Sequence, residues 1–285
     1  MLYSPQTSTH LFTYDNWGAN PSATPGLSVT PGASNVEGTY ASVATGSNIA
    51  QDCYGFSVRV SDGFLATGAK NHLLDIGVDP SGGTSYTTVI ANIVCGDSAA
   101  FTASGGGHNF FFPLFIKAGS QVAVRIQGSN ATAGTVRVAM KFYGFNSRQE
   151  RFPVGMFSET IGTITNSSGV SVTPGNAADG TWTSLGTTTN PLWWWQIGYQ
   201  IDNGTITAEY TYIELAYGDG SNKVPIMREM HGGATSENIG TAFKSNLNFF
   251  ECYCPVPAGS TIYARMRCNN APDTGYNMVA IGIGG

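Results

Sequence analysis

The feature that most constrains this chain is a segment that occurs twice. Residues 109–127 read NFFFPLFIKAGSQVAVRIQ, and residues 248–267 read NFFECYCPVPAGSTIYARMR. Each copy runs from Asn-Phe-Phe through a proline-bearing stretch into Ala-Gly-Ser (Ala118-Gly119-Ser120, Ala258-Gly259-Ser260). Each then enters an alternating run with an outward arginine, Arg125 or Arg265. Alternation with period two buries one strand face. That face is Val122, Val124 and Ile126 in the first copy, and Ile262, Ala264 and Met266 in the second. The Ala-Gly-Ser between the strands is a turn, because glycine takes a positive φ at little cost.

The repeat extends well beyond this hairpin. GLSVTPG at 26–32 returns as GVSVTPG at 169–175, and Gly38-Thr39-Tyr40 as Gly180-Thr181-Trp182. Tyr54, Phe56, Val58 and Val60 correspond to Trp195, Ile197, Tyr199 and Ile201. Leu74-Asp75-Ile76 corresponds to Ile213-Glu214-Leu215, and Val138-Ala139 to Val279-Ala280. The offset stays near ~140 residues, which describes a tandem domain duplication and not a short solenoid repeat. A chain of 285 residues has room for two such domains.

Composition narrows the class of those domains. Charged residues are only 11% and 37 residues are glycine, which suits short strands with tight turns and argues against long solvated helices. The first half predicts strands near 27–30, 39–44, 53–60, 72–78, 84–94, 110–116, 121–127 and 135–143. The second half predicts them near 170–173, 181–185, 193–201, 208–217, 223–230, 248–253, 261–268 and 276–283. About eight antiparallel strands per domain point to an all-β protein of two tandem β-sandwiches of the jelly-roll type. The organisation expected is an N-terminal arm at 1–25, a first domain at 26–145, a junction at 146–165 and a second domain at 166–285.

A net charge of −5 offers no overall basic character, so an electrostatic nucleic-acid binder is not expected. No window reaches the ~18 consecutive apolar residues of a membrane span. The opening MLYSPQTSTH lacks the basic and apolar regions of a signal peptide, and a cytoplasmic folding environment is expected. Five cysteines (Cys53, Cys95, Cys252, Cys254, Cys268) are an odd number, with no position shared between the repeats. Without further ligands at zinc spacing they read as free thiols, and no metal or cofactor is expected.

The arm carries Leu11, Phe12, Tyr14 and Trp17, too apolar for a free tail. It is either an added edge strand or an element that orders against a neighbour. The junction is the most charged stretch, and its Phe152, Met156 and Phe157 suggest packing against a domain. In the run Trp193-Trp194-Trp195, Trp195 and Trp193 share the core phase, while Trp194 lies on the face of Gln196, Gly198 and Gln200. Trp194 has three possible roles: stacking on a sugar, burial against another subunit, or burial against the sister domain. Together with the arm and the junction it makes the candidate interface set.

No catalytic motif stands out. The four histidines (His10, His72, His108, His231) are scattered, and His72 lies in phase with Leu74 and Ile76, away from Asp75. Asp75 with Arg125, and Glu214 with Arg265, read as a duplicated cross-strand ion pair. Asp79-Pro80-Ser81-Gly82-Gly83 and Asp219-Gly220-Ser221-Asn222 read as turns, without the converging oxygens that calcium requires.

The run Leu74-Asp75-Ile76-Gly77-Val78-Asp79-Pro80-x-Gly82-Gly83, followed by the hairpin from Phe112 to Ser120, resembles a β-sandwich module of tailed-bacteriophage structural genes. The whole chain, low in charge and duplicated, is similar to phage virion accessory proteins. The second domain has lost the Gly-Val-Asp-Pro-x-Gly-Gly element. The resemblance implies a non-enzymatic virion protein, most simply a capsid decoration (cement) protein. Its partners would be the major capsid protein and copies of itself, as a trimer, with no nucleic acid and no membrane. The alternative it allows is a tail or head-fibre component that recognises host-surface glycan, with Trp194 and Tyr210 or Tyr212 as the sugar platform.

Overall fold

The computed structural model describes residues 26–43, 48–62, 70–97, 108–129, 136–144, 154–164, 168–201, 209–234, 251–269 and 276–285. The described residues form strands joined by turns, with no helix. In the first half these are β1 (Leu27–Val29), β2 (Ala41–Ser42), β3 (Cys53–Asp62), β4 (Lys70–Asp79), β5 (Thr87–Asp97), β6 (His108–Phe112), β7 (Gln121–Gly128) and β8 (Val136–Gly144). Then come β9 (Phe157–Ile161), β10 (Thr163–Ile164), β11 (Ser168–Val172), β12 (Gly175–Asn176), β13 (Thr183–Thr187) and β14 (Leu192–Ile201). The chain ends with β15 (Glu209–Gly218), β16 (Lys223–Ala234), β17 (Glu251–Val256), β18 (Thr261–Cys268) and β19 (Tyr276–Gly284).

The strands assemble into four sheets. Sheet I has the order β1-β8-β3-β6 and sheet II the order β2-β7-β4-β5. This pairing of two four-stranded sheets is the strand order of a jelly roll. Sheet III contains β11-β19-β14-β17, and sheet IV contains β18-β15-β16 with β13 beside β18, so the same order recurs strand for strand. Three short strands have no counterpart in the first half: β9 and β10 extend sheet III, and β12 pairs in parallel with β18.

Local sequence explains the core. In β18 burial alternates residue by residue, and Ile262, Ala264, Met266 and Cys268 are all buried. In β7 the expected Val122, Val124 and Ile126 are buried too, and Ala123 with them. Gly119 and Gly259 take φ of 83° and 77° in the two equivalent turns. A Cβ would meet nothing within 4 Å at either site, so the backbone angle and not crowding selects glycine there.

The two sandwiches share a buried seam. β19 is buried along its whole length. Its Tyr276, Met278 and Ala280 enter the second core, while Val279, Ile281 and Ile283 join the core cluster of the first half. Trp194 belongs to that same cluster, its ring edge-on to Phe112 at 6.1 Å. The outer face of sheet III therefore closes the side of the first sandwich between its edge strands β5 and β6. At roughly 1.5–3 kcal/mol for each apolar side chain removed from water, these four residues contribute several kcal/mol to the union.

Residues 154–164, the described part of the expected junction, are built into this seam. Gly155 forms a parallel bridge with Leu114, accepting from Phe115 N (2.8 Å) and donating to Pro113 O (2.7 Å). β9 then pairs with β19, and Ser158 and Thr160 donate hydroxyl hydrogen bonds to Val89 O and Ala91 O on β5. One strand thus satisfies groups of both sandwiches. Gly155 is needed for space: its Cβ would lie 1.9 Å from Ile283 Cγ2.

Candidate functional site

The most elaborate polar construction is present in both sandwiches. On sheet II, Asp75 and Arg125 sit directly opposite each other on β4 and β7. Arg125 Nε and Nη2 both reach Asp75 Oδ2 at 2.9 Å, and Nη2 reaches Glu37 Oε2 at 2.6 Å. The guanidinium lies over the Tyr40 ring, 4.6 Å from its centroid. On sheet IV, Glu214 and Arg265 are in the same register on β15 and β18. Arg265 reaches Glu214 at 2.7 Å and Asp179 at 2.9 Å, and it lies 4.4 Å over Trp182. Each sandwich therefore carries one arginine held by two carboxylates and capped by an aromatic ring.

This geometry ties a loop to a sheet. Glu37-Gly38-Thr39-Tyr40 and Asp179-Gly180-Thr181-Trp182 each fold back so that both the acid and the ring close on the arginine. Asp75 is 4% exposed, and its second oxygen accepts from Asn92 N at 2.7 Å. Asn92 adopts a φ of 56° where β5 departs from regular register with β4. With both oxygens engaged, Asp75 is not poised as a general base. Burial, together with the nearby Asp75 charge, raises the Glu37 carboxyl above its ordinary pKa against the opposing pull of Arg125.

The turn carboxylates are occupied locally. Asp79 Oδ1 accepts from Ser81 N (2.9 Å) and Ser81 Oγ (2.6 Å), and Oδ2 accepts from Ser85 N (2.8 Å). The Ser81 hydroxyl and then these backbone N–H groups hold Asp79 below its ordinary pKa. Asp219 does the same with the N–H groups of Ser221 and Asn222, and its carboxyl is lowered by those bonds, Asn222 first. Among the described residues no three His, Cys, Asp or Glu side chains gather as a metal site. None of the five cysteines is in a disulfide: Cys53, Cys95 and Cys268 are buried, and Cys252 and Cys254 half-buried. Burial, followed by the charge of Asp52, pushes the Cys53 thiol up to about 12.

The candidate interface residues have separate fates. Leu11, Phe12, Tyr14, Trp17 and Phe152 lie outside the described residues. Met156 is 63% exposed beside the seam. Phe157 is half-buried against the second core. Trp194 is corrected as a partner-facing residue, because at 7% exposure it is enclosed between the two sandwiches. Trp193 does not share the phase of Trp195. Trp193 and Trp194 both pack on the first-half cluster while Trp195 stays in the second core, beside a register shift in which Cys254 and Pro255 of β17 lie opposite Trp193. Trp194 and Tyr212 form no sugar platform, since they lie in sheets III and IV; the side chain of Tyr210 lies outside the described residues.

Two features were missed from sequence. Glu37 and Asp179 complete the clamps, and the signal was the acid that precedes each Gly-Thr-aromatic element. Tyr253, on the edge strand β17, is 62% exposed and pairs with Trp193 at 5.6 Å between ring centroids. No periodic pattern announced it.

No protein-family model matches the chain, and no curated protein matches it. Among solved structures, one match is a crystal structure of tripeptidyl peptidase 2, at 8% identity and a TM-score of 0.29, over 97% of this chain and 23% of that one. A second is infectious bursal disease virus, Gx strain, at 10% identity and 0.26, over 84% and 58%. A third is the stem and receptor-binding domain of spike protein P1 from bacteriophage PM2, at 7% identity and 0.22, over 99% and 100%. The chain thus spans less than two thirds of the first two. At these TM-scores the likenesses carry no argument about function. What strand order and packing define is an all-β protein of two β-sandwiches in jelly-roll order.

Proposed function

We propose that this chain is a non-enzymatic structural protein of a tailed-phage particle, derived from a duplicated jelly-roll domain, and that it decorates the outer capsid. The observation that carries the reading is the repetition of one constructed face on two sandwiches joined by a buried seam. Sheets II and IV present the same arginine clamp, and the buried seam holds their sandwiches together. A joined pair of equivalent faces suits a protein that meets two equivalent neighbours on a lattice. Its partners on this reading are the major capsid protein and further copies of itself, as a trimer in the virion. Met156 and the apolar arm with Leu11, Phe12, Tyr14 and Trp17 supply additional contact area.

The test is co-sedimentation of purified protein with capsids assembled without it, followed by cryo-EM. Stoichiometric density on the capsid lattice is the expected result. Absence of capsid binding, with density confined to the tail or fibres, would sink it. A second reading, recognition of host-surface glycan by a fibre component, is favoured by the exposed Tyr253 beside Trp193, since adjacent rings stack on sugars. A glycan array with Tyr253→Ala as control separates the two.

A further inference from the structure

We infer that the outer face of sheet I is an electrostatic docking face for the carboxylate-bearing surface of a partner protein. Three cations meet there. On β8, Arg137, Ala139 and Lys141 alternate with the core residues Val138, Met140 and Phe142, so they face outward together. Arg59 of β3 sits opposite Ala139 in the ladder, between core residues Val58 and Val60. Arg59 is therefore diagonal to both Arg137 and Lys141, the relation that sets side chains about 7–8 Å apart across a sheet. The result is a triangle of like charges with the small Ala139 at its centre.

The treatment of cations elsewhere makes this face unusual. Arg125, Arg228 and Arg265 are each matched by at least one carboxylate, and Lys223 caps Gly220 O and lies over the Tyr263 ring; Lys117 and Arg267 also lack an ion pair among the described residues, so the grouping of three cations is what sets this face apart. Among the described residues Arg59, Arg137 and Lys141 make no ion pair, and Arg59 is exposed while the other two are half-exposed. Neighbouring like charges on one sheet face work against folding, so the fold gains nothing from holding them together unpaired. The overall charge of −5 conceals the patch, because the excess of acid lies elsewhere in the chain.

Shape selects the class of partner. The patch is a flat ladder face with a small residue in the middle, not a groove. A second flat surface carrying two or three carboxylates at strand spacing satisfies all three cations at once. This inference deepens the decoration reading and rests on it for the identity of the partner, but the face can be tested apart from any capsid.

The variant is Arg59→Glu with Lys141→Glu; both residues lie on the solvent side, so folding is retained, and a circular-dichroism melt verifies that. Wild type and variant are passed over immobilised poly-L-glutamate, heparin and double-stranded DNA between about 0.05 and 0.5 M NaCl, across which ionic screening strengthens greatly. Retention of wild type on polyglutamate, falling with salt and lost by more than about tenfold in the variant, supports the inference. No wild-type retention on polyglutamate overturns it, as does retention on heparin or DNA alone, which would make the face a polyanion site instead. The capsid arm separates the two ideas. If wild type and variant bind capsids equally, the decoration reading stands and the docking face falls. If wild type ignores capsids yet binds polyglutamate through Arg59 and Lys141, the docking face stands and the decoration reading falls.

Discussion

Replacing Trp194 by alanine tests whether the seam makes the two sandwiches one thermodynamic unit. Trp194 is 7% exposed, is edge-on to Phe112, and shares a core cluster with Val279, Ile281 and Ile283. Truncating a buried tryptophan leaves a void that β5, β6 and sheet III, each fixed by its own ladder, cannot readily fill. The expected loss is about 3–5 kcal/mol. At roughly 2–4 °C per kcal/mol for a protein of this size, the melting temperature should drop by about 6–20 °C. Scanning calorimetry measures the drop, and native-state hydrogen exchange shows where it falls. Amides of β5 and β6 should lose protection along with those of β14, although Trp194 belongs to the second half. A double-mutant cycle with Phe112→Ala should give a coupling of about 0.5–1.5 kcal/mol, the usual worth of an aromatic pair. Tyr253→Ala, 62% exposed on the same sheet, is the control and should cost no more than about 0.5 kcal/mol. A Trp194→Ala loss below about 1 kcal/mol, or loss of protection confined to the second half, would refute the argument.

Other perturbations address the clamps, the turns and the seam. Arg125→Met orphans the buried Asp75 and should cost about 2–4 kcal/mol in urea unfolding, towards the low end for a broken buried pair because Arg125 is 23% exposed. Glu37→Gln should be nearly neutral at pH 7, since the raised pKa means that folding already disfavours the ionised form. Asp79 has a depressed pKa, so its stabilisation is present above the unfolded value near about 3.9 and is lost as pH falls through the lower folded value. The melting-temperature gap between wild type and Asp79→Asn should therefore shrink in acid, and a gap constant from about pH 6 to about pH 2.5 would contradict this. Gly155→Ala forces a methyl onto Ile283 Cγ2 and should destabilise by about 1–3 kcal/mol in urea unfolding. Under native conditions iodoacetamide should reach Cys254 and Cys252 well before Cys53, whose buried thiol resists ionisation.

Much of the architecture was legible because the period-two signal repeats. β7 and β18 bury the residues their alternation predicts, and the ion pairs of Asp75 with Arg125 and Glu214 with Arg265 follow from strand phase. What was hidden depended on pairings between distant segments. FSETI in β9 has only modest strand character alone, and it becomes a strand because β19 offers it an edge and β5 offers carbonyls to its hydroxyls. The phase of Trp193 failed at the point where the β14–β17 register shifts, and such irregularities leave little trace in an alternating pattern. The unpaired cations of β3 and β8 were invisible to a whole-chain charge count, because only the register places Arg59 between Arg137 and Lys141.

The seam also sets a timetable for synthesis. The core cluster that begins at Val29 is completed by Trp194, Val279, Ile281 and Ile283, so the first sandwich to leave a ribosome waits for β19, deep in the second half of the sequence. At about 5–20 residues per second that wait is on the order of ten seconds. Throughout it, the side between β5 and β6, with Phe112, lacks its own cover. Another chain on the same message, further along in translation, carries the missing sheet III face ready-made. Nascent chains crowded on a polysome can therefore complete one another's first sandwich before either completes its own.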